Sequence, residues 1–285
     1  WPEMETRYQF SRRIAAERLT MTEAAQIIVS TEQEQKEQYA HPLYEAAINP
    51  SSYERFSVVP PGVNGRIFST NPGESDAITS GDLDTLFGND RRPVTVVSSR
   101  LDEKKNIIGV VRAYAGSASL QQRAGLVICI RGVDDPDSDL ESLPVPERAV
   151  LREILEVLAA ANMRDNVYFL NIRSQSELAA TYRYFSARGS VFALTSFYEP
   201  FGLAPIEAAA AGLAPVATEN GGPSEIFGDG SGVLVDPFSH ENISKGLLEA
   251  FDRHEELSKK AMQRIEESYT WQRTAKNYLS VITRF

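Results

Sequence analysis

An α/β fold built on a doubly wound parallel sheet is predicted by two features of this sequence. Six short runs, at 94–98, 126–130, 167–170, 191–195, 215–218 and 233–235, are apolar along nearly their whole length. Longer stretches with helical spacing separate them. Strands apolar on both faces and alternating with helices belong to a parallel sheet covered on both sides. In such sheets a ligand sits outside the carboxyl ends of the strands, so the residues just after each run are where chemistry is expected.

The elements follow in chain order. Residues 6–20 are rich in Arg, Glu and Ala, with Tyr8, Phe10, Ile14 and Leu19 at roughly helical intervals, which predicts a helix. Residues 22–26 lead into a short strand at Ile27-Ile28-Val29, and the Glu/Gln-rich stretch 31–39 is helical in character. Pro42, Pro50, Pro60 and Pro61 mark an irregular region around Ser57-Val58-Val59, and Pro60-Pro61-Gly62-Val63 reads as a crossing segment. Residues 71–90 are polar, with a short helix expected at 82–87, which places the main domain boundary near Arg91.

With 285 residues, one or two domains fit. The chain carries 29 basic and 39 acidic residues, a net charge of −10, so nucleic acid is excluded as an expected partner and any anion must meet a local cationic cluster. Cys129, the single cysteine, lies in Leu126-Val127-Ile128-Cys129-Ile130 and reads as a small buried thiol. No apolar run approaches the roughly 18 residues of a bilayer span. Trp1-Pro2-Glu3 shows no signal-peptide pattern and no initiator Met, so a cytoplasmic protein whose sequence begins mid-chain is expected.

Three segments could carry chemistry. In the first, Thr195-Ser196-Phe197-Tyr198-Glu199-Pro200-Phe201-Gly202-Leu203-Ala204-Pro205-Ile206-Glu207, a strand end, a Gly loop and a helix start follow one another. Pro205 suits a first helical turn, Ala208 to Ala211 propagate the helix, and Gly212 ends it. The N–H groups near Gly202 and Leu203 would then face an anion. Glu207 lies on an apolar helix, where a carboxylate needs a donor such as a sugar diol. In the second, Ser98 to Asn106, Arg100 and Lys105 leave a strand end where a diphosphate is expected. In the third, Leu170 to Leu178, Ser174 and Glu177 form a capping box, in a loop that could equally read a base edge. The Gly228-Asp229-Gly230-Ser231-Gly232 run precedes a strand and is no dinucleotide turn. His41, His240 and His254 are isolated, so no metal site and no cofactor is expected.

Glu199-Pro200-Phe201-Gly202-Leu203 with Glu207 resembles the E-x7-E signature of retaining GT-B glycosyltransferases, and Arg100 with Lys105 resembles their diphosphate-binding pair. Together with Arg131-Gly132, Asn220-Gly221-Gly222-Pro223 and Arg12-Arg13-Ile14-Ala15-Ala16-Glu17, the motifs are similar to those of the sucrose-phosphate synthases within that group. The resemblance implies a Rossmann-like donor domain and transfer of glucose from UDP-glucose to fructose 6-phosphate, giving sucrose 6-phosphate. Sucrose synthase and mannosylfructose-phosphate synthase are the near alternatives, and a non-catalytic nucleotide-sugar-binding module is the alternative of another class. It implies Glu199, Arg100 and Lys105 as the catalytic set. Glu199 would contact the hexose hydroxyls, Glu207 the ribose, Arg100 and Lys105 the diphosphate, and the backbone at Ile172, with Gln175 beside it, the base. Phe201, Gly202 and Leu203 would line hexose and phosphates, and Arg12 and Arg13 would meet the acceptor phosphate. It further implies residues 1–55 as the remnant of an acceptor domain that precedes Trp1, 56–90 as crossing segment and linker, 91–268 as the nucleotide-sugar domain, and 269–285 as a terminal helix returning to the acceptor domain.

Overall fold

The structure is a computed structural model that describes residues 5, 6, 8–45, 47–49 and 53–284. Contacts divide the chain into two compact units, Trp1–Pro61 with Gln272–Phe285, and Gly62–Trp271.

In the first unit, helix α1 (Phe10–Glu23) precedes strand β1 (Ile27–Val29), which pairs in parallel with β2 (Phe56–Val58) in the register Ile27↔Phe56. Met21, Ile27, Val29, Ile48 and Phe56 form its core. The helix expected at 6–20 extends to Glu23, with Gln9 in the left-handed region at φ 52° just ahead of it. Residues 34–38 form a π-helical turn within the segment expected to be helical.

The second unit contains α2 (Asp76–Phe87), β3 (Val94–Ser98), α3 (Ile107–Ala115), α4 (Ala118–Arg123), β4 (Gly125–Ile130), α5 (Val145–Ala160), β5 (Val167–Asn171) and α6 (Gln175–Ser186). It continues with β6 (Val191–Leu194), α7 (Leu203–Ala210), β7 (Ala214–Thr218), α8 (Gly222–Phe227), β8 (Val233–Val235), α9 (His240–Asp252) and α10 (His254–Ser268). Helix α11 (Trp271–Ile282) follows in sequence and, from Gln272 on, belongs to the first unit. The parallel sheet that the alternation of apolar runs and helices predicts has six strands, paired in the order β5-β4-β3-β6-β7-β8.

The two faces of this sheet read out the two-residue period of its strands. Val97, Ile128, Ala193 and Val216 belong to one core, while Val96, Val127, Cys129, Phe192 and Ala217 belong to the other. Strands β4, β6 and β7 are buried throughout, which is why they read as unbroken apolar runs. Cys129 is buried, and that burial pushes its thiol up to about 12, which keeps it protonated.

The second unit begins at Gly62, ahead of the boundary near Arg91 expected from sequence. Phe68, Leu83 and Phe87 belong to its core, and α2 starts six residues before the expected 82–87 helix. The extra turns are anchored by Arg183 of α6, whose Nε donates to Asp76 Oδ2 at 2.9 Å, a partner 107 residues away. Arg183 Nη1 also donates to the carbonyls of Ile67 and Ser69 at 3.0 and 3.1 Å.

Candidate functional site

Strand order reverses direction at β3: β4 and β5 extend the sheet on one side, and the chain then returns to place β6 on the other. Outside the carboxyl ends of β3 and β6 the crevice between the two windings opens, the position where doubly wound sheets hold ligands.

Loops leaving both central strands meet in this crevice. Lys105, beyond β3, places Nζ 2.7 Å from Glu199 Oε2, beyond β6. The lysine side chain is 24% exposed and the glutamate 12%, so the pair is largely withdrawn from water but still reachable. Ser196 Oγ donates to the same Oε2 at 3.1 Å. The Glu199 backbone is fixed from the β7–α8 loop: its N–H donates to Asn220 O at 3.1 Å, and its carbonyl accepts from Gly222 N at 2.9 Å. Gly221 makes that approach possible. Its φ is 103°, and a Cβ there would lie 2.1 Å from Glu199 O.

Asn106 couples the two loops from beneath. Its Nδ2 donates to Thr195 O at 2.9 Å and to Pro237 O at 2.8 Å, while Oδ1 accepts from Gly109 N and caps α3. Phe197 N donates to Lys104 O at 3.0 Å, and Asn220 Nδ2 donates to Phe197 O at 3.1 Å.

Helix α7 begins one residue beyond Gly202, which adopts φ 107°, and no side chain caps its first turn. Gly212 N donates to Ala209 O and Leu213 N to Ala208 O, the paired bonds of a Schellman ending, with Gly212 at φ 95°. The helix is thus defined at both ends as the sequence predicts.

Beside this crevice lies a cleft of about 500 Å³ lined by Ser98, Arg100, Arg131, Ile172, Gln175 and Glu207, among others. It joins the ends of β3, β4 and β5 to the first turns of α7. Burial raises the Glu207 carboxyl to about 7, and among the described residues no hydrogen bond or ion pair reaches it. Tyr182, fully buried, also lines the cleft, and burial pushes its phenol well above the ordinary range.

Of the residues singled out from sequence, Arg100, Ile172, Gln175 and Glu207 share this cleft, and Lys105 and Glu199 meet next to it. Phe201 is buried and Gly202 caps α7, while Leu203 is 46% exposed. The capping reading of the third segment holds: Glu177 N donates to Ser174 Oγ at 3.1 Å, and Glu177 Oε2 accepts from Arg173 N at 2.8 Å. Arg173 itself pairs with Asp134 at 2.6 Å. Arg12 and Arg13 are exposed on α1 in the first unit, and Arg12 Nη1 reaches Gln9 Oε1 at 3.5 Å. Glu3, close to them in sequence, lies outside the described residues. Sequence reasoning missed Ser196 as a partner of Glu199 and Asn106 as the tie between the loops; both are short polar residues whose partners are made by the fold.

A cationic loop, a carboxylate held between two loops and a helix start that, among the described residues, no side chain caps can together receive a polar ligand that carries negative charge at one end. Among the described residues no helix is long and apolar enough to cross a membrane. The family described as glycosyl transferases group 1 matches residues 85–271. A probable sucrose-phosphate synthase of Thermosipho melanesiensis is 38% identical over 281 residues, covering 98% of this chain and 59% of the relative. One from Solanum tuberosum is 30% identical over 311 residues, covering 98% of this chain and 29% of the relative. The chain therefore spans less than two thirds of the length of these curated relatives. Among solved structures, the sucrose-phosphate synthase of Thermosynechococcus elongatus has a TM-score of 0.72 at 22% identity, covering 96% of this chain and 61% of that one. Anabaena HepE, solved with UDP and glucose, has a TM-score of 0.74 at 17% identity, covering 98% and 68%. At these identities the two structures speak to the fold, which is that of GT-B enzymes.

Proposed function

The chain belongs to the group 1 glycosyl transferases, and on that premise we propose that it is the donor-binding part of a hexosyltransferase that moves glucose from UDP-glucose to fructose 6-phosphate, giving sucrose 6-phosphate. The observation that carries this reading is the meeting of Lys105 and Glu199 where the sheet reverses, beside a cleft that holds Arg100 and Glu207. A nucleotide sugar matches that order of groups. Its diphosphate faces Arg100, Lys105 and the N–H groups at Gly202 and Leu203. Its hexose hydroxyls meet Glu199 against Phe201. Its ribose diol donates to Glu207, and its base lies along the backbone at Ile172, near Gln175.

With a diphosphate as leaving group, the enzyme has to stabilise departing negative charge and a sugar that becomes cationic. Preorganised cations and helix N–H groups serve the first need, and the Glu199 carboxylate serves the second while it holds the hexose. Attack by the acceptor from the face the diphosphate leaves would retain the anomeric configuration. Fructose 6-phosphate would be met by Arg12, Arg13 and the acceptor domain of a longer protein. The uridine assignment rests on the resemblance of the site motifs to those of the sucrose-phosphate synthases; HepE, a neighbour in fold, was itself solved with UDP-glucose.

Titration calorimetry of this chain with UDP-glucose and with UDP tests the reading. Saturable binding of both ligands is expected. Absence of heat with either, at millimolar ligand and with folded protein, would remove the donor site.

A further inference from the structure

The Glu199 carboxylate is anchored unevenly. Oε2 accepts from Lys105 Nζ at 2.7 Å and from Ser196 Oγ at 3.1 Å, whereas among the described residues no hydrogen bond is made to Oε1. One oxygen is held twice and the other is left to accept from something else. The backbone of Glu199 is already fixed through Asn220 and Gly222, so the remaining freedom is in its side-chain torsions.

The two anchors differ in what else they can do. Lys105 is a three-donor cation on a flexible stem, a quarter exposed, and an anion entering the crevice competes for its charge. Ser196 has no exposed surface, and its hydroxyl has no such competitor. We propose that Ser196 is a positioning residue, which keeps the Glu199 carboxylate in its hexose-reading orientation when Lys105 turns to a diphosphate. This rests on the donor-site reading above. A carboxylate still tethered through Oε2 presents Oε1 to a sugar hydroxyl without first losing rotamer freedom, so Ser196 strengthens the contact to the hexose and leaves the contact to the nucleotide unchanged.

Calorimetry on the parent chain and on Ser196→Ala, each with UDP-glucose and with UDP, separates the possibilities, with thermal melting to verify the fold. The expected result is a selective loss: UDP-glucose binds about fivefold more weakly to Ser196→Ala, the worth of one ordinary hydrogen bond, while UDP affinity changes by less than about twofold. Equal weakening of both ligands, or weakening of neither, overturns the proposal and leaves the serine a packing residue. If Ser196→Ala does not fold, Ser196→Cys, which keeps a weak donor of similar size, carries the same test, with a smaller selective loss expected and equal losses overturning it. A parent chain that binds neither ligand refutes the donor-site reading itself, and this proposal with it.

Discussion

Glu207 is a carboxylate on an apolar helix to which, among the described residues, no ion pair is made, and its titration is set by burial. Its folded-state pKa, about 7, lies above the ordinary value of 4.5. The folded protein then binds more protons than the unfolded chain between these values, so this group favours folding below about 4.5, and the contribution is lost as pH rises through 7. Glu207→Gln should accordingly flatten the fall in melting temperature of the empty protein between pH 5 and 7.5, relative to the parent. A ribose diol donating to the carboxylate favours its ionised form, so binding of UDP-glucose should tighten over the same window in the parent and not in Glu207→Gln. Calorimetry at several pH values checks both the sign and the residue. Glu207→Ala removes the acceptor altogether and should cost tenfold or more in affinity for UDP, since hydrogen bonds to a charged group contribute roughly 1.5–3 kcal/mol. Undiminished binding by a folded mutant would return Glu207 to a helix role. This residue was legible in the sequence because a lone acid among alanines contradicts its surroundings. Asn106 was not. Its partners Thr195 and Pro237 lie 89 and 131 residues away, so its importance exists only after folding.

At the scale of elements, all six strands of the large sheet were legible: burial on both faces writes β4, β6 and β7 as continuous apolar runs, and the edge strands β5 and β8 are apolar runs although they are only partly buried. Helix α2 was half legible. Its polar first turns gain their anchor from Arg183, which nothing local announces. Loops that shape the crevice depend on glycines whose backbone no other residue adopts at low cost. Gly221 combines φ 103° and ψ −153° with a Cβ position only 2.1 Å from the Glu199 carbonyl oxygen. Gly230, at φ 80°, has open space around its Cβ position and serves as a control. Gly230→Ala should cost about 1–2 kcal/mol of left-handed strain. Gly221→Ala should cost roughly 3 kcal/mol or more, because the clash adds to the strain and the loop must move away from Glu199. Thermal melts of the two variants side by side check the difference. A loss at Gly221 no larger than at Gly230 would mean that the β7–α8 loop is not held against Glu199.

At the scale of the whole molecule, the chain matches 59% of the length of its Thermosipho melanesiensis relative, and its second unit holds the cleft proposed above as the donor site. If the remainder of a longer protein supplies the acceptor wall, this chain alone should bind UDP-glucose and form no sucrose 6-phosphate from it. A product assay beside the calorimetry checks this, and turnover by the chain alone would show that the site is complete without an acceptor domain. Arg12 and Arg13 extend the argument to the acceptor. A sugar phosphate needs a cation able to make bidentate, charge-assisted hydrogen bonds, and arginine has that geometry. The carboxylates nearest in sequence are engaged elsewhere: Glu5 accepts from Ser11 N, and Glu17 from the Tyr44 hydroxyl. No ion pair to either arginine is present among the described residues, so both exposed guanidinium groups keep donors for a phosphate. In a longer protein with the proposed activity, replacing either by Ala should raise KM for fructose 6-phosphate by tenfold or more, the loss of a charge-assisted contact, while KM for UDP-glucose changes by less than about twofold. Steady-state kinetics with each substrate varied in turn measures that asymmetry. Equal effects on the two constants, or none, would place Arg12 and Arg13 on an ordinary solvated helix face and move the phosphate seat to another part of the protein.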